Sequence, residues 1–104
     1  MTYNLVFRVR REYFDAILQG VKDREVRRYS PFWERRVENA KTAKAKGQTL
    51  VGVFLCGKDE HRRHVTDISI SSSAAAALGR QPSEQGAKDL GDGAVFVFKL
   101  GNAL

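Results

Sequence analysis

Cysteine and long apolar runs are the features that this chain of 104 residues most clearly lacks. Its single cysteine, Cys56, excludes an internal disulfide, which fits a reducing compartment, and we expect the cytoplasm. No apolar run approaches the roughly 18–20 residues of a membrane-spanning helix, so we expect no membrane partner. No charged leader precedes an apolar stretch near Met1, and a secretion signal is therefore not expected either.

Residue spacings typical of a metal or cofactor site are also missing. Cys56, His61 and His64 stand at loose spacing, without a second cysteine or a carboxylate triad, so we expect no metal. The glycines between residues 79 and 93 do not have the spacing of a phosphate-binding loop. We therefore expect no cofactor.

The charges that are present are distributed unevenly along the chain. Residues 1–64 hold 15 Lys and Arg against 8 Asp and Glu, whereas residues 65–104 hold 3 against 4. A hydrophobic fraction of 42% and a charged fraction of 29% are typical of a soluble globular protein, and the length fits one domain over residues 1–104. A basic half on a nearly neutral body favours a polyanionic partner, most often nucleic acid. Ordinary surface solubility is the alternative explanation.

Hydrophobic periodicity predicts an order of strands and helices that alternates at first and then becomes rich in strands. The predicted strands cover residues 3–10, 24–29, 50–56, 65–70 and 95–100. The predicted helices cover residues 12–19, a segment that begins at 30–31, and a short stretch of alanines up to residue 78. Residues 57–63 are predicted as a charged turn and residues 79–93 as a loop whose glycine content is typical of a mobile flap. This order predicts an α+β fold, a small closed or half-closed barrel of about five strands with two to three flanking helices.

The segment that follows the first helix carries charges where a small domain normally buries a strand face. Glu25, Arg27 and Tyr29 share one face of the predicted strand, and Lys22 precedes it after Gly20. Charges in such a strand are costly unless they are paired or used in a site. Glu25 and Arg27 therefore form either a structural ion pair or part of a binding site.

Residues Gly20, Lys22, Glu25 and Arg27 give a Gly-x-Lys-x-x-Glu-x-Arg motif that resembles the ASCH domain family, whose members have a PUA-like fold. The preceding helix with Phe14 resembles the first helix of that family, and the later strands follow the expected order. The resemblance implies a cleft lined by the motif that takes RNA, a nucleotide or a modified base. On this basis we expect an RNA- or nucleotide-binding domain.

The same resemblance supplies an enzymatic alternative. Some small family members remove the acetyl group from N4-acetylcytidine and others cut RNA, so a hydrolase that uses Lys22 and Glu25 as catalytic residues is the second hypothesis. Glu25 stands where the amidohydrolase members carry a threonine, and Glu84, the only glutamate beyond residue 60, lies in the predicted loop. A third hypothesis is a protein–protein module whose basic face binds an acidic protein.

Basic and aromatic residues surround the motif and extend the predicted ligand-binding set. Interleaved aromatic and basic side chains suit stacking on unpaired bases beside backbone contacts. Trp33, at helical spacing with Val37, is more typical of a core residue. The full predicted set of ligand-binding residues is Lys22, Glu25, Arg27, Arg28, Tyr29, Arg35 and Arg36.

Overall fold

The computed structural model describes all residues from 1 to 104 and contains five strands and four helices. In chain order these are β1 (Thr2–Arg8), α1 (Arg11–Leu18), β2 (Arg24–Arg28), α2 (Pro31–Ala45), β3 (Thr49–Cys56), β4 (Asp59–Ser71), α3 (Ala74–Leu78), α4 (Glu84–Leu90) and β5 (Val95–Ala103). No helix is both long and apolar enough to cross a membrane.

The five strands form one curled sheet that resembles half of a barrel. Its strand order is β1-β3-β4-β5-β2, in which β1 and β3 run parallel and the other neighbours run antiparallel. The parallel pair is connected through α1, β2 and α2, since a parallel pairing needs a long crossover. The sheet is therefore left with two edge strands, β1 and β2, which are the elements that carry or border the motif.

Aromatic rings fill the centre of the main core. The Phe7 ring centroid lies 5.2 Å from that of Trp33, 5.1 Å from that of Phe54 and 4.9 Å from that of Phe98. Helix α2 contributes its buried stripe from Val37 onwards, and Ser30 caps its first turn by accepting a hydrogen bond from the Trp33 N–H. Trp33 is partly buried and packs against the core, as its predicted core position implies, and its ring lies beside Arg27 of the motif strand.

A second, smaller core joins β2 to the later part of the chain. Val26 packs with Ala74, Ala77 and Val95, and Leu90 of α4 packs against this cluster. Strand β2 therefore gives its Val26 face to the small core. The Glu25 and Arg27 face turns towards the main core.

Two segments differ from the sequence predictions. Strand β4 begins at Asp59, so the predicted charged turn over residues 57–63 shrinks to the tight turn around Gly57, whose φ is +58°. The alternation of apolar and polar residues that marks a strand is not visible in this segment. The buried residue that pairs with Gly52 is an arginine, Arg63, where an apolar residue would be expected. The predicted loop over residues 79–93 contains α4, capped by Ser83, and the fold has four helices instead of two to three.

Candidate functional site

The end of α1 fixes the position of Lys22. Gly20 adopts a φ of +77°, and the N–H groups of Val21 and Lys22 both donate to the carbonyl of Ala16, at 3.0 Å and 3.1 Å. The carbonyl of Lys22 in turn accepts a 2.6 Å hydrogen bond from the guanidinium of Arg63. The turn before β2 is therefore held at both its amide and its carbonyl groups.

Glu25 is the centre of a three-residue ion cluster that we call the motif triad, made of Lys22, Glu25 and Arg27. Glu25 is only 4% exposed, and its Oε1 accepts a 2.7 Å hydrogen bond from Lys22 Nζ. Its Oε2 accepts a 2.9 Å hydrogen bond from Arg27 Nε. A buried carboxylate of this kind needs partners on both oxygens, and the two cations supply them.

Arg27 also connects the two edges of the half-barrel. Its Nη2 donates a 3.0 Å hydrogen bond to the carbonyl of Arg8, the last residue of β1. Its guanidinium carbon lies 5.3 Å from the Phe7 ring centroid and 5.5 Å from that of Trp33. This side chain therefore lies in the slot between β1 and β2, against the aromatic core.

The motif triad retains hydrogen-bonding capacity after its internal contacts are made. Lys22 and Arg27 each keep 22% of their side chain exposed. Lys22 Nζ donates once, so it keeps two further donors, and Arg27 Nη1 makes no hydrogen bond within the chain. With one carboxylate against two cations, the cluster carries a formal charge of +1 and presents donors suited to phosphate or carbonyl oxygens.

Helix α4 lies next to the motif triad through polar contacts. Tyr13, whose ring centroid is 4.8 Å from Lys22 Nζ, places its hydroxyl 3.5 Å from Ser83 at the start of α4. Asp89 of the same helix pairs with Arg10. The hydrogen bond from this guanidinium holds the pKa of Asp89 below its ordinary value, and the positive charge of Arg27 also lowers this pKa. No residue of α4 is fully buried. Helix α4 therefore borders the site without being part of the main core.

Arg28 and Tyr29, which were predicted to flank the ligand, make their contacts with residues outside the motif triad. Arg28 alternates with Arg27 along β2 and lies near Gly91, on the side of the small core. The Tyr29 ring stacks on Phe96 at 4.8 Å, and its hydroxyl donates to Glu34, a hydrogen bond that raises the pKa of Tyr29 above its ordinary value. One face of the Tyr29 ring is therefore already covered.

Arg35 and Arg36 belong to a separate surface. Both line a groove of about 370 Å³ that runs between α2 and β1, and no motif residue lines it. Arg36 lies 3.4 Å from the ring centroid of Phe32, a side chain that is 57% exposed. The structure therefore divides the predicted ligand-binding set into the motif triad and this second surface.

Arg63 is a site-supporting residue that the sequence patterns did not identify. It is 8% exposed and donates to the carbonyls of Gly101 and Lys22, so it ties β5 to the turn that holds the triad. The only sequence signal is that Arg63 precedes Val65 by two residues, which places both on one strand face. Its neighbour His61 has a buried Nε2 without a partner, and burial lowers the pKa of that imidazole below its ordinary value.

The structure contains no group of three or more His, Cys, Asp or Glu side chains that could hold a metal ion. Comparisons of the chain with protein-family models, with curated proteins and with solved structures found no match. The resemblance to the ASCH family accordingly stays a prediction that rests on the motif.

Proposed function

We propose that the motif triad is the ligand site of an ASCH-like domain of PUA-like fold, and that it binds RNA or a nucleotide derived from RNA. The observation that carries this proposal is the buried carboxylate of Glu25 between Lys22 and Arg27, whose remaining donors are free. Phosphate oxygens accept hydrogen bonds from such charged donors and match the formal charge of +1. Tyr13 and Trp33 place aromatic rings beside the two cations.

Binding is favoured over turnover because of the way Glu25 is engaged. Both of its oxygens accept hydrogen bonds from cations and the residue is only 4% exposed, which leaves little room for the water molecule that a general base activates. Lys22 remains able to polarise a carbonyl oxygen, which keeps an amidohydrolase-like or ribonuclease activity as the competing function. The proposal therefore assigns Lys22 and Arg27 to ligand contact and Glu25 to their orientation.

The test is a titration of short single-stranded RNA and of mononucleotides, followed by fluorescence anisotropy and calorimetry. Lys22→Ala is expected to weaken binding about tenfold, because it removes one charged hydrogen bond to the ligand. Lys46→Ala is the matched control, since it removes the same charge from an exposed residue at the end of α2. Equal affinity of the two variants would refute the assignment of the site.

The same preparation decides between binding and turnover. Incubation with N4-acetylcytidine and with RNA is expected to give no product. Product formation that is lost in Lys22→Ala but kept in Lys46→Ala would establish the hydrolase in place of the binding domain.

A further inference from the structure

The edge strand β1 is paired on one side only, and its outer side is open. The strand pairs with β3 and with no other strand. The opposite edge of the sheet, formed by β2, is bordered by α4, which packs there through Leu90. The two edges are therefore protected to different degrees, and an open edge is a template for a further strand.

The hydrogen bonds of β1 show which backbone groups are free. The N–H of Val9 donates to the carbonyl of Leu55, and the carbonyl of Met1 accepts from the N–H of Thr49. Odd-numbered residues of this strand thus face β3, and the alternation of a strand turns the even-numbered ones outward. The carbonyl of Arg8 is occupied by Arg27. The outward residues whose N–H and C=O groups are left without partners in the chain are Thr2, Asn4 and Val6.

A basic groove runs along this open edge. Residues 3–6 of β1 form one side of it, and Arg35, Arg36 and Asn39 of α2 form the other. No carboxylate lines the groove, and neither arginine forms an ion pair. Arg36 is held in place by its hydrogen bond to the carbonyl of Phe32 and by the Phe32 ring. The groove therefore combines open strand hydrogen bonds with oriented positive charge.

We propose that β1 binds an extended acidic peptide segment as a sixth strand of the sheet. The segment would pair with the free backbone groups of Asn4 and Val6 and place carboxylates beside Arg35 and Arg36. Side chains two residues apart on a strand share one face, so acidic residues at alternate positions face α2. The residues between them lie on the outer face beside Val6, which is 47% exposed and suits an apolar neighbour.

Backbone chemistry favours a peptide over RNA at this edge. The outward residues offer N–H donors and C=O acceptors in alternation, and a peptide strand supplies partners for both. The phosphate groups of RNA supply acceptors only, so they would pair with the N–H groups of Asn4 and Val6 but not with their carbonyls. This site is separate from the motif triad, so the proposal does not depend on the proposed function.

Charge disfavours a second copy of the chain as the added strand. Two antiparallel β1 strands in one continuous sheet are related by a two-fold axis perpendicular to it, which puts both α2 helices on the same face. Arg35 and Arg36 of one copy would then approach the same residues of the other. Like charges at such an interface oppose association, whereas carboxylates in the added strand favour it.

The test uses a blocked seven-residue peptide of alternating glutamate and valine, because β1 has seven residues. Binding is expected to slow hydrogen exchange at the amides of Asn4 and Val6 at least tenfold. The amides of Leu5 and Phe7, which already face β3, are expected not to change. Two control peptides accompany it, one with lysine in place of glutamate and one with methylated amides on its pairing edge, and neither is expected to bind.

Variants of the protein separate the charge contribution from a general effect. Arg35→Glu is expected to weaken binding of the glutamate peptide at least tenfold, whereas Lys41→Glu changes the charge of α2 equally outside the groove and is expected to have little effect. Neither side chain is buried, so both variants are expected to fold.

Several results would overturn the proposal. Equal binding of the methylated peptide would mean that the groove is a general surface for polyanions. The same conclusion would follow if single-stranded RNA bound in a way that depends on Arg35 and did not protect the amides of Asn4 and Val6. Protection of these amides that grows with protein concentration in the absence of peptide would identify a second copy as the partner. An absence of binding at millimolar peptide would mean that Arg35 and Arg36 instead protect the edge of β1 against pairing with another strand.

Discussion

Replacing Glu25 by glutamine removes the carboxylate that neutralises the motif triad while it keeps the size of the side chain. Lys22 and Arg27 then have no anionic partner, although both lie mostly out of water at 22% exposure. In glutamine an NH2 group replaces one of the two carboxylate oxygens, and this donor would face one of the two cations and could not accept its hydrogen bond. Glu25→Gln is therefore expected to destabilise the fold as well as the site.

The size of the effect follows from burial. Removing one partner of a fully buried ion pair costs about 3–5 kcal/mol, because the other charge is left uncompensated. The cations here keep some contact with water, so we expect a loss of about 2–3 kcal/mol in the free energy of unfolding. A chain of this length should then melt roughly 10 °C lower.

Urea unfolding followed by the fluorescence of Trp33 measures this loss, since that ring lies 5.5 Å from the Arg27 guanidinium and packs against the main core. The control is Glu60→Gln, which breaks an ion pair with Arg62 whose partners are both nearly half exposed, and which should change stability by less than about 0.5 kcal/mol. A similarly small change for Glu25→Gln would mean that the triad is solvated and loosely held, and the reasoning would fail.

Three further predictions concern the helix cap, the pH dependence and the ligand. Ser30→Ala should lower the free energy of unfolding by about 1 kcal/mol in the same urea assay, because it removes the cap on the Trp33 N–H. Burial lowers the pKa of His61 in the folded state, so the unfolded chain binds a proton at a higher pH than the folded chain does. The free energy of unfolding should therefore fall as the pH drops through about 6.5. His61→Gln should abolish this fall in melting experiments at several pH values. RNA affinity should weaken roughly sevenfold between about 50 and 200 mM salt if Lys22 and Arg27 bind two phosphates, and a salt-independent affinity would contradict the phosphate contacts.

Most of the strands and helices could be predicted because their patterns follow from burial on one face. Strand β1 alternates cleanly, β3 is a continuous apolar run, and Ser30 with Pro31 marks the start of α2. Helix α4 was missed because it has no fully buried residue and carries Gly86 in its middle, so it shows no periodicity. The first half of β4 was missed because its inward residues include Arg63, which is satisfied by backbone carbonyls.

The candidate site could be predicted only as far as local spacing reaches. Glu25 and Arg27 lie two residues apart on one strand face, and their pairing follows from that spacing. The contact of Arg27 with the carbonyl of Arg8 depends on how far the sheet curls, which no local pattern encodes. The separation of Arg35 and Arg36 from the triad likewise depends on the way α2 packs along β1.

The three residues of the motif triad differ in how closely they are tied to the fold. Arg27 joins β2 to the end of β1 and covers the aromatic core, and Glu25 holds Arg27 in that position. Loss of ligand binding after a change at either residue would therefore be mixed with a loss of structure. Lys22 makes one side-chain hydrogen bond, to Glu25, and its backbone contacts do not depend on the identity of its side chain. Lys22→Ala leaves Glu25 paired with Arg27, so it is expected to cost less stability than a change at either of those residues and is the variant that best separates the function of the site from its contribution to stability.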